Sequence, residues 1–269
     1  MSSNSTYLER VIAHHREMAA QDTRSTQALR QLAGSAPIPR GFRNKLTETD
    51  GVSVIAEIKR RSPSRGNLRV DLDPFDLASK YRAGGAAAIS VLTDQEFFGG
   101  IPMDIEVAKE ASGLPVLRKD FTVSENDVLD ARIMGADAVL LLVAALDNQE
   151  LAKFIQVADE IGLDALVEVH DEMELERALD VGACMIGVNQ RDLHTFEVDG
   201  NRAGRLACRM DVSVTKVAES GISTAEDVSH LAEVGYDAVL IGESLVTSLV
   251  PSELLSQMVK AGLPRGARL

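Results

Sequence analysis

GADAVLLLVAALDNQELAKFIQVADEIGLDALVEVH, residues 135–170, carries one complete strand–helix–strand pattern. Its first apolar run, 136–143, is continuous and does not alternate, as expected of a parallel strand buried on both faces. Asp147 with Glu150 three residues on is a capping box that opens a helix. Gly162 supplies the residue that ends a helix most cheaply in the left-handed conformation. A second run, DALVEVH at 164–170, then ends in ionisable residues.

The same pattern extends both ways. Further strand-like runs are VSVIAEIK (52–59), AAISVLTD (87–94), PVLRKD (115–120), MIGVNQR (185–191), VTKVAES (214–220) and AVLIGES (238–244). Helical spacing links them, as in Val128, Ala131 and Ile133, or Val228, Leu231 and Val234. Ser223, with Glu226 three residues on, is read as a second capping box, and Gly135, Gly182 and Gly235 as further helix ends. The echo among GADAVLLL, GLDALVEV, GACMIGVN and GYDAVLIG is an internal repeat, and eight such units predict a closed (β/α)8 TIM barrel, class α/β. An open doubly wound sheet is the alternative, but no GxGxxG follows the first strand. Residues 1–48 stand outside the pattern. Within them 7–20 reads as an amphipathic helix with Leu8, Val11, Ile12 and Met18 as its apolar positions, and a Gly-Ser-Ala-Pro-Ile-Pro stretch breaks the chain at 34–39. Residues 1–269 are therefore expected to form one barrel domain with 1–48 as a helical N-terminal extension.

Composition narrows the function. Hydrophobic residues at 45% and charged residues at 26% describe a globular chain. The net charge of −13 repels nucleic acid and anionic lipid, so neither is an expected partner, and an anionic substrate needs a local basic pocket. Lys59, Arg60, Arg61 and Arg65, with Arg118 and Lys119, are the basic residues that cluster in sequence. The two cysteines make no framework, no signal peptide opens the chain and no run has the length of a membrane span, so a cytoplasmic protein is expected. Cys184, at the start of an apolar run, is expected to be a small core residue.

Barrel enzymes carry their chemistry at the C-terminal ends of the strands. Those ends read Glu57-Ile58-Lys59, Arg118-Lys119-Asp120, Glu168-Val169-His170, Asn189-Gln190-Arg191, Glu219-Ser220-Gly221 and Gly242-Glu243-Ser244. Glu57 and Lys59, two apart, share one face. Taken alone they could be a structural ion pair, but six polar strand ends at one rim resist that explanation. Gly221 and Gly242, with Ser220, Ser244, Ser62 and Ser64 as possible hydroxyl donors, suit a phosphate, although a glycine after a strand is also an ordinary turn residue. The five histidines (14, 15, 170, 194 and 230) show no HxH or HExxH spacing, so no metal is expected; His170 is assigned a supporting or solvent-facing place. There is no GxSxG elbow. What is left is general acid–base chemistry, or a Schiff base through Lys59 or Lys119, on a phosphorylated substrate.

IAEIKRRSPSRG (55–66), LRKDF (117–121), LVEVH (166–170), IGVNQRDL (186–193), AESGI (218–222) and LIGESL (240–245) resemble the segments of the indole-3-glycerol phosphate synthase family, in that order, over residues 5–260. The resemblance implies ring closure, decarboxylation and dehydration of 1-(2-carboxyphenylamino)-1-deoxyribulose 5-phosphate, a phosphorylated aromatic amino-sugar. It implies no cofactor and no metal, and a monomer is expected. It places the acid on Lys119. Lys59 pairs with the departing carboxylate or acts as acid in dehydration, and the sequence does not divide these tasks. Glu168 and Glu57 move protons, Asn189 and Glu219 orient the intermediate, and Arg191 lies beside the anthranilate. Ser62, Ser220, Gly221, Gly242 and the backbone of Glu243 take the phosphate; Phe98, Phe121 and Leu140 wall the aromatic ring. A lysine crowded by Lys59 between apolar walls is expected to have a lowered pKa. A class I aldolase, a phosphosugar isomerase and a non-catalytic binding protein on the same scaffold are the competing readings.

Overall fold

A computed structural model describes residues 6–264. The ends of the predicted 1–269 domain, 1–5 and 265–269, lie outside the described residues. Strands β1 (Ser53–Ile58), β2 (Ala88–Leu92), β3 (Val116–Lys119), β4 (Ala138–Leu142), β5 (Asp164–Val169), β6 (Met185–Asn189), β7 (Thr215–Glu219) and β8 (Ala238–Ile241) are all parallel and close into a (β/α)8 barrel, β8 pairing with β1. Each falls inside the run that predicted it.

Three helices precede the barrel: α1 (Tyr7–Gln21), α2 (Thr26–Ser35) and α3 (Phe42–Leu46). The principal barrel helices are α4 (Pro74–Ala83), α5 (Met103–Ser112), α6 (Glu125–Ile133), α7 (Asn148–Glu160), α8 (Glu172–Asp180), α9 (Arg202–Ala207), α10 (Ala225–Glu233) and α11 (Pro251–Gly262). Asp147 and Glu150 form the expected capping box of α7. The box of α10 sits one residue later than expected. Thr224 Oγ1 accepts from the Asp227 amide while the Asp227 carboxylate accepts from the amides of Thr224 and Ser223. Aspartate is short enough to close this box, which displaces the Ser223–Glu226 pairing. Gly135, Gly162, Gly182 and Gly235 all have positive φ, between 76° and 88°, as helix ends require.

Two apolar layers form. One lies between strands and helices; the other fills the barrel, with Ile55, Leu117, Leu140, Leu166 and Val217 inside. The period of two then fixes what stands above that plug. Ile55 leads to Glu57, Leu117 to Lys119, Leu166 to Glu168 and Val217 to Glu219, so the same faces turn from apolar to ionisable at the C-terminal rim. Phe42 and Leu46 of α3 are fully buried against the inner layer. The aspartate of the Gly-x-Asp-Ala repeat secures the opposite end. Asp137 is fully buried and accepts from the amides of Arg40 and Val116 and from Lys109 Nζ at 2.7 Å.

Two smaller expectations fail. Met18 is 61% exposed: although it stands a heptad beyond the fully buried Val11, burial on this face of α1 does not extend to it. Cys184 is exposed, since it precedes the first inward residue of β6, Met185.

Candidate active site

A cavity of about 530 Å³ opens at the C-terminal rim. It is lined by Glu57, Lys59, Ser62, Phe98, Lys119, Phe121, Leu140, Glu168, Asn189, Arg191, Glu219, Ser220, Gly221, Gly242 and Glu243, so every site residue expected from the sequence reaches one cavity.

Lys119 stands at the centre of its floor. Its Nζ lies 3.2 Å from Glu219 Oε2, 3.6 Å from Glu168 Oε2 and 3.8 Å from Glu57 Oε2. Burial works against the ammonium, but Glu219, Glu168 and Glu57 together outweigh it and hold the Lys119 pKa well above its ordinary value. The expected lowering is therefore reversed. It assumed Lys59 as the dominant neighbour, whereas Lys59 Nζ is engaged by Glu57 Oε1 at 2.5 Å. Burial raises the Glu57 pKa, but Lys59 and Lys119 overcome it and the group stays below the usual carboxylate range. Glu168 is likewise held low against its burial, by Lys119, His170 and a hydrogen bond from Asn189 Nδ2 at 2.9 Å. Glu219 differs. Its burial and the nearby Glu168 exceed the help of Lys119, and its pKa is pushed up to about 8. Lys119 is close to Glu219 but poorly aligned with it, and neither carboxylate oxygen accepts a hydrogen bond of good geometry.

His170 faces neither solvent nor a void. Its Nδ1 is 3.0 Å from Glu174 Oε2 and its Nε2 3.4 Å from Glu168 Oε1. Burial lowers its pKa, but the two glutamates lift it to about 10. At neutral pH the floor thus holds Lys119 as a charged ammonium among ionised Glu57 and Glu168.

The rest of the expected basic cluster does not converge here. Arg60 pairs with Asp104, Arg61 donates to the carbonyls of Gln95 and Glu96, and Arg118 turns outward to Asp120 and the Asp127 carbonyl. Among these arginines only Arg65 lines the cavity, with its Nε 3.0 Å from Glu243 Oε1.

On one wall Phe98 and Phe121 approach with ring centroids 6.3 Å apart, near Leu140. Arg191 is braced by Nη1 donating to the Phe196 carbonyl and by its amide donating to Asn189 Oδ1, each at 3.0 Å. On the opposite arc Ser220 and Gly221 both have positive φ, 65° and 72°. Left-handed serine is a strained conformation of the kind found at binding sites. Gly242 permits the close approach of Glu57: a β-carbon there would meet Glu57 Oε1 at 2.5 Å.

Gly187 has the same role and was missed from sequence. A β-carbon on it would collide with Glu219 Oε1. An isolated glycine inside the MIGVN strand was the available signal. Also unforeseen was the approach of His15, Asp94 and Asp120, whose ligand-type atoms lie within 4.8 Å of one another. They come from three separate segments, so no spacing motif could show it.

The family model for indole-3-glycerol phosphate synthase matches residues 8–255. An indole-3-glycerol phosphate synthase of Parafrankia sp. (strain EAN1pec) is 49% identical over 91% of each chain. That of Chlorobium luteolum is 46% identical over 90% of this chain and 94% of its own. Among solved structures, a thiamine phosphate pyrophosphorylase from Pyrococcus furiosus superposes with a TM-score of 0.59 over 81% of this chain and 96% of its own, at 16% identity, a likeness of fold alone. On its sequence, over nearly its whole length, the chain belongs to the indole-3-glycerol phosphate synthase family.

Proposed function

We propose that the chain converts 1-(2-carboxyphenylamino)-1-deoxyribulose 5-phosphate to indole-3-glycerol phosphate, with release of carbon dioxide and water. The observation that carries this reading is Lys119, buried, charged and ringed by Glu57, Glu168 and Glu219, between an aromatic wall and the Ser220–Gly221 turn.

In this reading the aryl ring packs on Phe98, Phe121 and Leu140, with Arg191 beside its carboxylate. The phosphate sits on Ser62, Ser220, Gly221, Gly242 and the Glu243 amide, where the short Glu243–Thr247 helix offers unpaired N–H groups. Lys119 gives its proton to the ketone oxygen as the ring carbon bearing the carboxylate attacks the ketone carbon. Carbon dioxide then leaves and the ring regains aromaticity. The new hydroxyl departs as water with a second proton, and the carbon next to nitrogen loses a proton to a glutamate. Glu57 and Glu168, both held ionised, are the bases. Glu219, whose carboxyl pKa burial pushes upward, holds the hydroxyl intermediate with Asn189. Lys59 serves the departing carboxylate or the dehydration. No step calls for a metal or a cofactor.

The chain acts as a monomeric, cytoplasmic barrel domain with 1–48 as its extension; no described helix is long and apolar enough to cross a membrane. The test is to supply substrate labelled in its carboxyl group and measure labelled carbon dioxide against indole formed. Equal yields support the reading. A borohydride-trapped lysine adduct without carbon dioxide release would support the aldolase alternative.

A further inference from the structure

His15 lies on α1, outside the barrel, yet touches both loops that carry the aromatic wall. It completes the 8, 11, 12, 15 stripe by which α1 lies against the barrel. Its Nε2 is 2.8 Å from Asp94 Oδ2. Asp94 is buried after β2, and its other oxygen, Oδ1, accepts from the amides of Phe97 and Phe98. Burial raises the Asp94 pKa, but His15 and the two amides hold it below the ordinary carboxylate value, so the carboxylate accepts and the imidazole N–H donates. The His15 ring also packs on Phe121, after β3, with centroids 5.3 Å apart and planes tilted by 37°. One imidazole therefore fixes Phe98 through Asp94 and Phe121 by direct contact. Arg16 anchors the helix beside it, donating to both oxygens of Glu150 and to the carbonyls of Val123 and Ala145.

We infer that His15 is a positioning residue for the aryl-binding wall, setting the separation of Phe98 and Phe121 from outside the barrel. This rests on the proposed function in one respect only: that the wall receives the aryl half of the substrate. The phosphate end, at Ser220, Gly221 and Gly242, has no contact with His15, so the two halves of the ligand should respond differently. Asp120 Oδ1 is 4.0 Å from His15 Nε2 and accepts from the Phe121 amide, while Asp120 Oδ2 is engaged by Thr93 and Arg118. His15 and Asp94 thus already satisfy one another, and Asp120 is satisfied separately by Thr93, Arg118 and the Phe121 amide.

The experiment compares native protein with His15→Ala and His15→Gln, using full-length chain. Inhibition constants are measured for indole-3-glycerol phosphate, which has both halves, and for glycerol 3-phosphate, which lacks the aryl half. His15→Ala should weaken indole-3-glycerol phosphate and raise KM about tenfold, through the displaced aryl wall. It should leave glycerol 3-phosphate inhibition and kcat within about twofold. His15→Gln keeps a donor for Asp94 and should recover part of the loss; it also decides the matter if the alanine variant fails to fold. Equal weakening of both ligands, or no change in either, would overturn the inference. Native activity that requires an added divalent cation and is lost in either His15 variant would overturn it too, by making the cluster a metal site. Native protein that turns over no substrate would instead overturn the proposed function.

Discussion

Gly187 shows how much a single inward position decides. With hydrogen as its side chain it leaves room for Glu219 at the rim. Gly187→Ala should displace Glu219 and lower kcat roughly 10²-fold, the scale of effect that misplacing a catalytic group by about 1 Å produces, with a smaller change in KM. Steady-state kinetics on the folded variant checks this. The ionisable residues themselves were legible in sequence, because a period of two puts Glu57, Lys119, Glu168 and Glu219 on inward faces. Their charge states were not, because these depend on distances between different strands. Lys119 was expected to be a weakened cation and is instead strongly held. His170 makes the same point with a measurable consequence. Its pKa is raised from 6.5 to about 10, so its contribution to stability is full below about pH 6.5 and is lost as pH rises through about 10. The stability advantage of native protein over His170→Asn, read from urea midpoints, should shrink across that window. An advantage that grows with pH would show the opposite shift.

At the scale of elements, the strands were the most legible part, since double burial writes itself as unbroken apolar runs. Helix starts were legible to within a residue. The α10 cap belongs to Thr224 and Asp227, one position beyond the expected pair, because serine, threonine, aspartate and glutamate crowd 223–227 and only geometry selects among them. Thr224→Ala should therefore destabilise the protein by about 1 kcal/mol and Ser223→Ala by less, measured by thermal or chemical unfolding. The N-terminal helices α2 and α3 were not resolved from sequence. Their short apolar patterns have meaning only against the barrel surface they cover.

Across the whole molecule, stability and chemistry occupy opposite ends. Asp137, with Lys109 and the amides of Arg40 and Val116, ties the N-terminal extension to the barrel far from the cavity. Asp137→Ala removes one partner of a buried pair and should cost about 3–5 kcal/mol in unfolding free energy. The kcat of the protein that remains folded should be unchanged, as expected for the stability face of a barrel. The rim shows the converse: three buried carboxylates around one lysine are poor packing, and the proposed reaction is what gives them a use.

The most direct test of that arrangement is indole fluorescence on mixing native protein and Lys119→Ala with the carboxyphenylamino-deoxyribulose phosphate, without metal or cofactor. The chain has no tryptophan, so the background is low. Native protein should produce the signal, and the variant should be slower by about 10²–10³ or more. A variant as fast as native would contradict Lys119 as the acid, and folded native protein that gives no signal would contradict the proposed reaction itself.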